Sequence, residues 1–198
     1  MRIIAGKAGG TILRAPKGFD VRPTPDLVRQ AIFNSLGPRV AEAEVLELFA
    51  GTGALSLECL SRGAAHAVCL EKSSRHAEFI RENLAQSRLP ADSLSIQTRD
   101  AFAGIRGLAA ENRQFGLILA DPPWGEKNQA RRSTSFAQQL LDDPVLPALL
   151  RPGGLFILGH TKRDTLSIPP NWEESRVLKH GDSVTRFLCL AENAPGPS

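Results

Sequence analysis

The 198-residue chain has no tyrosine, one methionine and three cysteines. Cys59, Cys69 and Cys189 are an odd, widely spaced set without the pairing of a metal site. A disulfide scaffold is excluded, and reduced thiols fit a cytoplasmic protein. No stretch reaches 18 uncharged apolar residues, which excludes a transmembrane helix. The start, Met1 to Lys7, lacks the apolar run of a secretory signal, so a cytoplasmic location is expected. Hydrophobic residues at 42% and charged residues at 23% exclude a disordered or collagen-like chain. At roughly 150 residues per domain, the length predicts one domain with an appendage.

The net charge of +3 is uninformative until it is divided along the chain. Residues 1–39 hold seven Lys/Arg and two acids, hence +5, and the remainder is −2. A basic arm over residues 1–22, built as a small β-hairpin, precedes a body over 23–191. A Pro/Gly-rich tail, 192–198, is expected to be disordered. Thr24 is the expected N-cap of the first helix, with Pro25 in its first turn. Val28, Ala31, Ile32 and Leu36 line one face of that helix, and Gly37-Pro38 ends it.

From residue 44, strands and helices alternate. Expected strands are 45–49, 67–70, 94–98, 115–120 and 154–158, with a late hairpin over 175–179 and 185–190. Expected helices are 54–61, one capped by Ser73 or Ser74, 102–112, and 136–150 with a proline interruption. This order predicts an α/β, doubly wound, mostly parallel sheet with helices on both faces.

Ligands of such sheets bind at the C-terminal ends of the strands. Glu47-Leu-Phe-Ala-Gly51-Thr-Gly53-Ala54 is a glycine turn that lets backbone approach a ligand. Ser56 stands where a dinucleotide fingerprint has its third glycine. Glu71 ends the second strand, placed to accept from ribose hydroxyls of either NAD or S-adenosylmethionine. Asp100 follows the third strand as a candidate for an adenine amine or as a helix cap. Asp121-Pro-Pro-Trp124 follows the most apolar strand. Its carboxylate, a carbonyl and an aromatic face suit a planar base with an exocyclic amine. The prolines stiffen the segment and remove two donors. Acceptors that hold such an amine in line with a methyl donor give a positional advantage, without a metal or covalent intermediate.

Glu47-Leu-Phe-Ala-Gly51-Thr-Gly53 with Asp121-Pro-Pro-aromatic resembles the class I S-adenosylmethionine-dependent amino methyltransferases. Arg2-Ile-Ile-Ala-Gly6, Arg22-Pro-Thr24, Val28-Arg29, Phe33-Asn34 and Leu60-Ser-Arg-Gly-Ala64 are similar to one branch, the RsmD family. The resemblance runs from about residue 2 to residue 190. It implies a seven-stranded Rossmann-like sheet and transfer to a guanine N2 amine of small-subunit (16S) ribosomal RNA. It implies that Glu47, Phe49, Ala50, Gly51, Thr52, Gly53 and Ala54 face the methionine part of S-adenosyl-L-methionine. Glu71, with Lys72 beside it, would hold the ribose, and Asp100 and Ala101 the adenine. Asp121, Pro122, Pro123 and Trp124 would hold the guanine amine. Trp124 departs from the family's usual Tyr or Phe.

RNA phosphates are expected at Lys7, Arg14, Lys17, Arg22, Arg29, Arg131 and Arg132. The expected partner is ribosomal RNA, free or within an assembling small subunit, met by a monomer. No histidine is given a catalytic role, and no metal is expected. Three alternatives stay open here: a DNA adenine-N6 methyltransferase, an NAD-dependent oxidoreductase and a non-catalytic RNA-binding module.

Overall fold

A computed structural model describes residues 1–15, 24–124 and 132–192. Seven strands form one sheet: β1 (Glu44–Leu48), β2 (His66–Glu71), β3 (Leu94–Thr98), β4 (Phe115–Ala120), β5 (Leu150–Thr161), β6 (Trp172–His180) and β7 (Ser183–Leu190). Their order is β3-β2-β1-β4-β5-β7-β6. The first five strands run parallel, and β7 pairs antiparallel with both β5 and β6. The chain winds outward from β1 to β3 and then crosses back to β4. The sheet's switch point therefore lies between β1 and β4, where ligands of open α/β sheets bind.

Among the described residues five α-helices cover the faces: α1 (Asp26–Leu36), α2 (Ala54–Ser61), α3 (Ser74–Ser87), α4 (Ala101–Ala110) and α5 (Phe136–Asp142). The period of two along the strands divides the core. Val45, Leu117, Leu119 and Ile157 face α1, α2 and α3, together with Ile32, Leu57 and Ile80. Leu46, Leu48, Ile118, Phe156 and Leu158 face α4 and α5, together with Ile105 and Leu140. The apolar run of β4 is buried on both faces, as its sequence predicts.

Of the boundaries that differ from expectation, three have a clear local reason. Asp100 accepts from the N–H groups of Phe102 and Ala103, so α4 starts at Ala101. The expected 136–150 helix stops at Asp142. Asp143 then accepts from the N–H groups of Val145 and Leu146, and a short 3-10 turn, Leu146–Leu149, leads into β5. Pro25, not Thr24, is the N-cap of α1, and no side chain caps that helix. The Thr24 hydroxyl points elsewhere.

The described part of the arm, residues 1–15, has one antiparallel bridge, Arg2 to Ile12. It is packed on the body, with Ile3, Ala8 and Leu13 buried in the α1–α3 core. Its backbone is held by α2. Buried Glu58 accepts from the N–H of Ile4 at 2.6 Å and of Ala5 at 3.1 Å. Ser61 accepts from Ala8 N–H and donates to the Ala5 carbonyl. Gly6 is fixed by this fit, because a Cβ there would lie 1.9 Å from the Ser61 carbonyl oxygen. The tail expected to be disordered lies almost wholly outside the described residues.

Candidate active site

Strand β1 ends at Leu48, and the next residues reverse into α2. Phe49, Gly51 and Gly53 all have positive φ, at 56°, 55° and 72°. For a bulky residue such as Phe49 this is an outlier, the kind of strain that collects at binding sites. Gly53 also packs closely, because a Cβ there would meet Ile80 at 2.8 Å. Ala50, Thr52 and Ala54 are buried in the turn.

Glu71 ends β2 beside this turn and is buried. Its two oxygens accept from Gly51 N–H and Ser73 N–H, each at 2.8 Å. The carboxylate therefore joins the glycine turn to the start of α3. Each oxygen keeps a second lone pair for a ligand hydroxyl. His76 Nδ1 lies 3.6 Å away, whereas the Lys72 side chain is exposed.

Glu47 is buried inside the sheet. It accepts from Ser56 N–H at 2.9 Å, in the first turn of α2, and from the Cys69 thiol at 3.6 Å. Burial outweighs these hydrogen bonds and pushes its carboxyl up to about 7. Burial also raises the Cys59 and Cys69 thiols well above their usual range, which leaves both unreactive. Cys189 is only partly buried.

Asp100 is exposed at the end of β3 and serves as the α4 cap, while Ala101 is buried. Next to it, Phe49, Phe102 and Phe136 form a cluster with ring centroids 5.4–6.3 Å apart. Phe136 is partly exposed, and nothing in the sequence tied it to the glycine turn.

Asp121 follows β4, directly across the switch point from the glycine turn. Its Oδ2 accepts from the Thr24 hydroxyl. Pro122 is buried, Pro123 is exposed, and Trp124 is partly exposed. A crevice of about 20 Å³ beside Asp121 is lined by Thr24, Val28, Leu55, Ile157, Gly159 and His160, among others. His160 is buried, and its Nε2 accepts from Arg186 Nε at 3.0 Å. Burial and the Arg186 charge lower its pKa and keep it neutral.

The expected phosphate contacts separate. Lys7 is exposed. Arg14 and Arg132 are exposed and pair with Glu82 at 3.1 Å and Asp142 at 2.6 Å. Such surface pairs are weak and can be exchanged for phosphate. Arg29 is a correction. It has no exposed surface, and its guanidinium donates to the Arg2 carbonyl and to Asp26 at 2.8 Å. The spacing of α1 places it on the inner face beside Val28 and Ile32, so no phosphate reaches it. Lys17, Arg22 and Arg131 lie outside the described residues.

Sequence reasoning missed Glu58, Ser61 and Asn83. Asn83 is fully buried on α3 and bonds both the N–H and the carbonyl of Arg14, at 2.7 and 3.0 Å. It also donates to the Thr52 carbonyl at 3.0 Å. One side chain thus links the arm to the glycine turn. A lone polar residue amid Ile80 and Leu84 was the available signal. Among the described residues no helix is long and apolar enough to cross a membrane, and no cluster of metal ligands forms.

The family described as conserved hypothetical protein 95 matches residues 1–189. The ribosomal RNA small subunit methyltransferase D of Escherichia coli K12 is 30% identical over 94% of this chain and 88% of its own. The protein of that name from Haemophilus influenzae is 28% identical over 87% and 84%. The solved yhhF protein of Escherichia coli superposes with a TM-score of 0.78 at 26% identity, covering 96% and 97%. An RNA methyltransferase of Salinibacter ruber, solved with S-adenosyl-L-homocysteine, has a TM-score of 0.64 at 18% identity, covering 88% and 97%.

Proposed function

The chain belongs to the conserved hypothetical protein 95 family, the RsmD-type ribosomal RNA methyltransferases, and we propose that it methylates the exocyclic N2 amine of a guanine in small-subunit ribosomal RNA. The observation that carries this reading is the placement of Asp121-Pro-Pro-Trp124 across the switch point from the glycine turn and Glu71. A methyl acceptor and a methyl donor would then meet at one edge of the sheet.

The residues present suit S-adenosyl-L-methionine. The positive-φ turn at Phe49, Gly51 and Gly53 presents backbone to a ligand. Glu71 is fixed by two N–H groups with lone pairs to spare for ribose hydroxyls. Asp100, Ala101 and the aromatic cluster supply a surface for the adenine. When bound, the cofactor supplies an activated methyl group on sulfur.

Asp121 does the orienting. Its carboxylate accepts from one amine N–H, and the Pro122 carbonyl would accept from the other. Trp124 offers a face for the base. An arylamine is a poor nucleophile because its lone pair is delocalised into the ring, so alignment of that lone pair supplies the advantage. The nitrogen becomes acidic only once it carries the methyl group. Its proton then passes to Asp121 or to water, and no base tuned to the neutral amine is required. The target guanine leaves its stack to reach this edge, at a cost of a few kcal/mol.

Residues 23–191 form the catalytic unit in this reading, and the arm faces RNA. Lys7, Arg14 and Arg132 supply phosphate contacts that orient the RNA without reading its sequence. The setting is the cytoplasm, where small subunits are assembled.

Tritiated S-adenosylmethionine supplied with small-subunit ribosomal RNA, intact subunits or duplex DNA tests the proposal. Label on N2-methylguanine is expected, and Asp121→Ala should abolish it while retaining cofactor binding. Label on N6 of adenine, or full activity of Asp121→Ala, would overturn it.

A further inference from the structure

We propose that Thr24 and Gly159 clamp the Asp121 carboxylate from two sides and that Thr24 is a positioning residue for methyl transfer. This inference rests on the reading of Asp121 as the group that holds the amine.

Two independent contacts define the clamp. The Thr24 hydroxyl donates to Asp121 Oδ2 across 97 residues of sequence. At the other oxygen, Ala120 of β4 is paired with Leu158 of β5, which brings Gly159 beside Asp121. A Cβ on Gly159 would lie 2.5 Å from Asp121 Oδ1 and 3.4 Å from its Cβ. Only a residue without a side chain leaves the carboxylate where it is. The hydroxyl holds one oxygen by a directional bond, and the bare Cα limits where the other can go.

Thr24 is a misplaced cap by local rules. A Thr before Pro at a helix start is expected to cap it, yet α1 has no side-chain cap. The hydroxyl is turned instead to the carboxylate across the crevice. Its support is rigid. Val28, Ile32, Phe33 and Leu36 bury α1 against the sheet. Arg29 ties α1 to the Arg2 carbonyl and so to the arm. A carboxylate that must align an amine depends on such support, because displacement by about 1 Å can cost roughly 100-fold in rate.

The crevice beside the pair has about 20 Å³, room for a single water. That leaves little slack for Asp121 to change rotamer toward α1.

The test compares Thr24→Val, Thr24→Ser and Gly159→Ala in full-length protein. Steady-state methylation of small-subunit ribosomal RNA gives kcat and KM, and calorimetry gives the cofactor Kd. Thr24→Val keeps the side-chain shape and removes the donor. It should lower kcat roughly 10- to 100-fold, with KM and Kd changed by less than about twofold. Thr24→Ser restores the hydroxyl and should recover kcat to within about threefold of the parent. Gly159→Ala should lower kcat at least as far as Thr24→Val. Thr24→Val with more than about half the parental kcat, a loss confined to KM, or no rescue by Ser would overturn the clamp. Should Thr24→Val fail to fold, Gly159→Ala decides, and parental kcat in that variant overturns it. Asp121→Ala separates the two levels. Activity there removes the underlying reading, whereas an inactive Asp121→Ala beside a fully active Thr24→Val removes the clamp alone.

Discussion

Replacing Glu47 by Gln should stabilise the chain, and most strongly at alkaline pH. The carboxyl is buried under α2, where burial raises it from 4.5 to about 7. The folded chain therefore holds this proton more tightly than the unfolded chain. The associated stability is complete below pH 4.5 and is lost as pH rises through 7. The gap of about 2.5 pH units, at ~1.4 kcal/mol each, corresponds to a full loss of roughly 3–4 kcal/mol. Between pH 5 and pH 8 the change amounts to roughly 2–3 kcal/mol, since part of the loss has occurred by pH 5. Gln keeps an acceptor for Ser56 N–H and adds no charge. Urea unfolding of both proteins at pH 5 and pH 8 measures the difference directly. The stability gap between variant and parent should widen by roughly 2–3 kcal/mol at pH 8. A gap equal at the two pH values would refute the assignment of a buried, proton-holding Glu47.

Three further outcomes follow from the geometry. Glu71→Ala should weaken S-adenosylmethionine binding by roughly 1.5–3 kcal/mol, the scale of hydrogen bonds to a charged group; an unchanged Kd in calorimetry would show that Glu71 holds only the two loops. Gly6→Ala places a methyl 1.9 Å from the Ser61 carbonyl and should undock the arm; limited proteolysis should then cut within residues 1–15, and an uncut arm would contradict the fit. Neutralising Lys7, Arg14 and Arg132 together should flatten the salt dependence of RNA binding by a slope of about 3 and leave cofactor affinity intact; an unchanged slope would return these side chains to the solvated surface.

The alternation of the sheet was legible because local signals and burial agreed. The 94–98 and 115–120 strands and the 54–61 helix match the structure residue for residue. The positions of Glu71 at the end of β2 and of Asp121 just after β4 were legible as well, since each closes an apolar run. The misses share a different cause. Arg29 reads as one more cation in a basic segment, and only the phase of α1 against the sheet reveals that it faces inward. Thr24 reads as a cap because capping is a local rule, whereas its partner lies 97 residues away. Glu58 and Ser61 look like ordinary helix residues and Asn83 offers only its polarity on an apolar face, while the arm backbone atoms they hold carry no sequence signature. Side chains that serve local structure can be read from sequence, but those that hold distant backbone cannot.

The docking of the arm also sets a timetable for synthesis. Its first residues emerge earliest, but their partners Glu58, Ser61 and Asn83 lie 53–69 residues later in the chain. Contacts of such separation close slowly. A growing chain must therefore carry an unattached, basic N-terminus until α3 has been made, and at roughly 5–20 residues per second that wait lasts several seconds. During that interval the arm is free to meet anionic surfaces nearby, until α2 and α3 capture it.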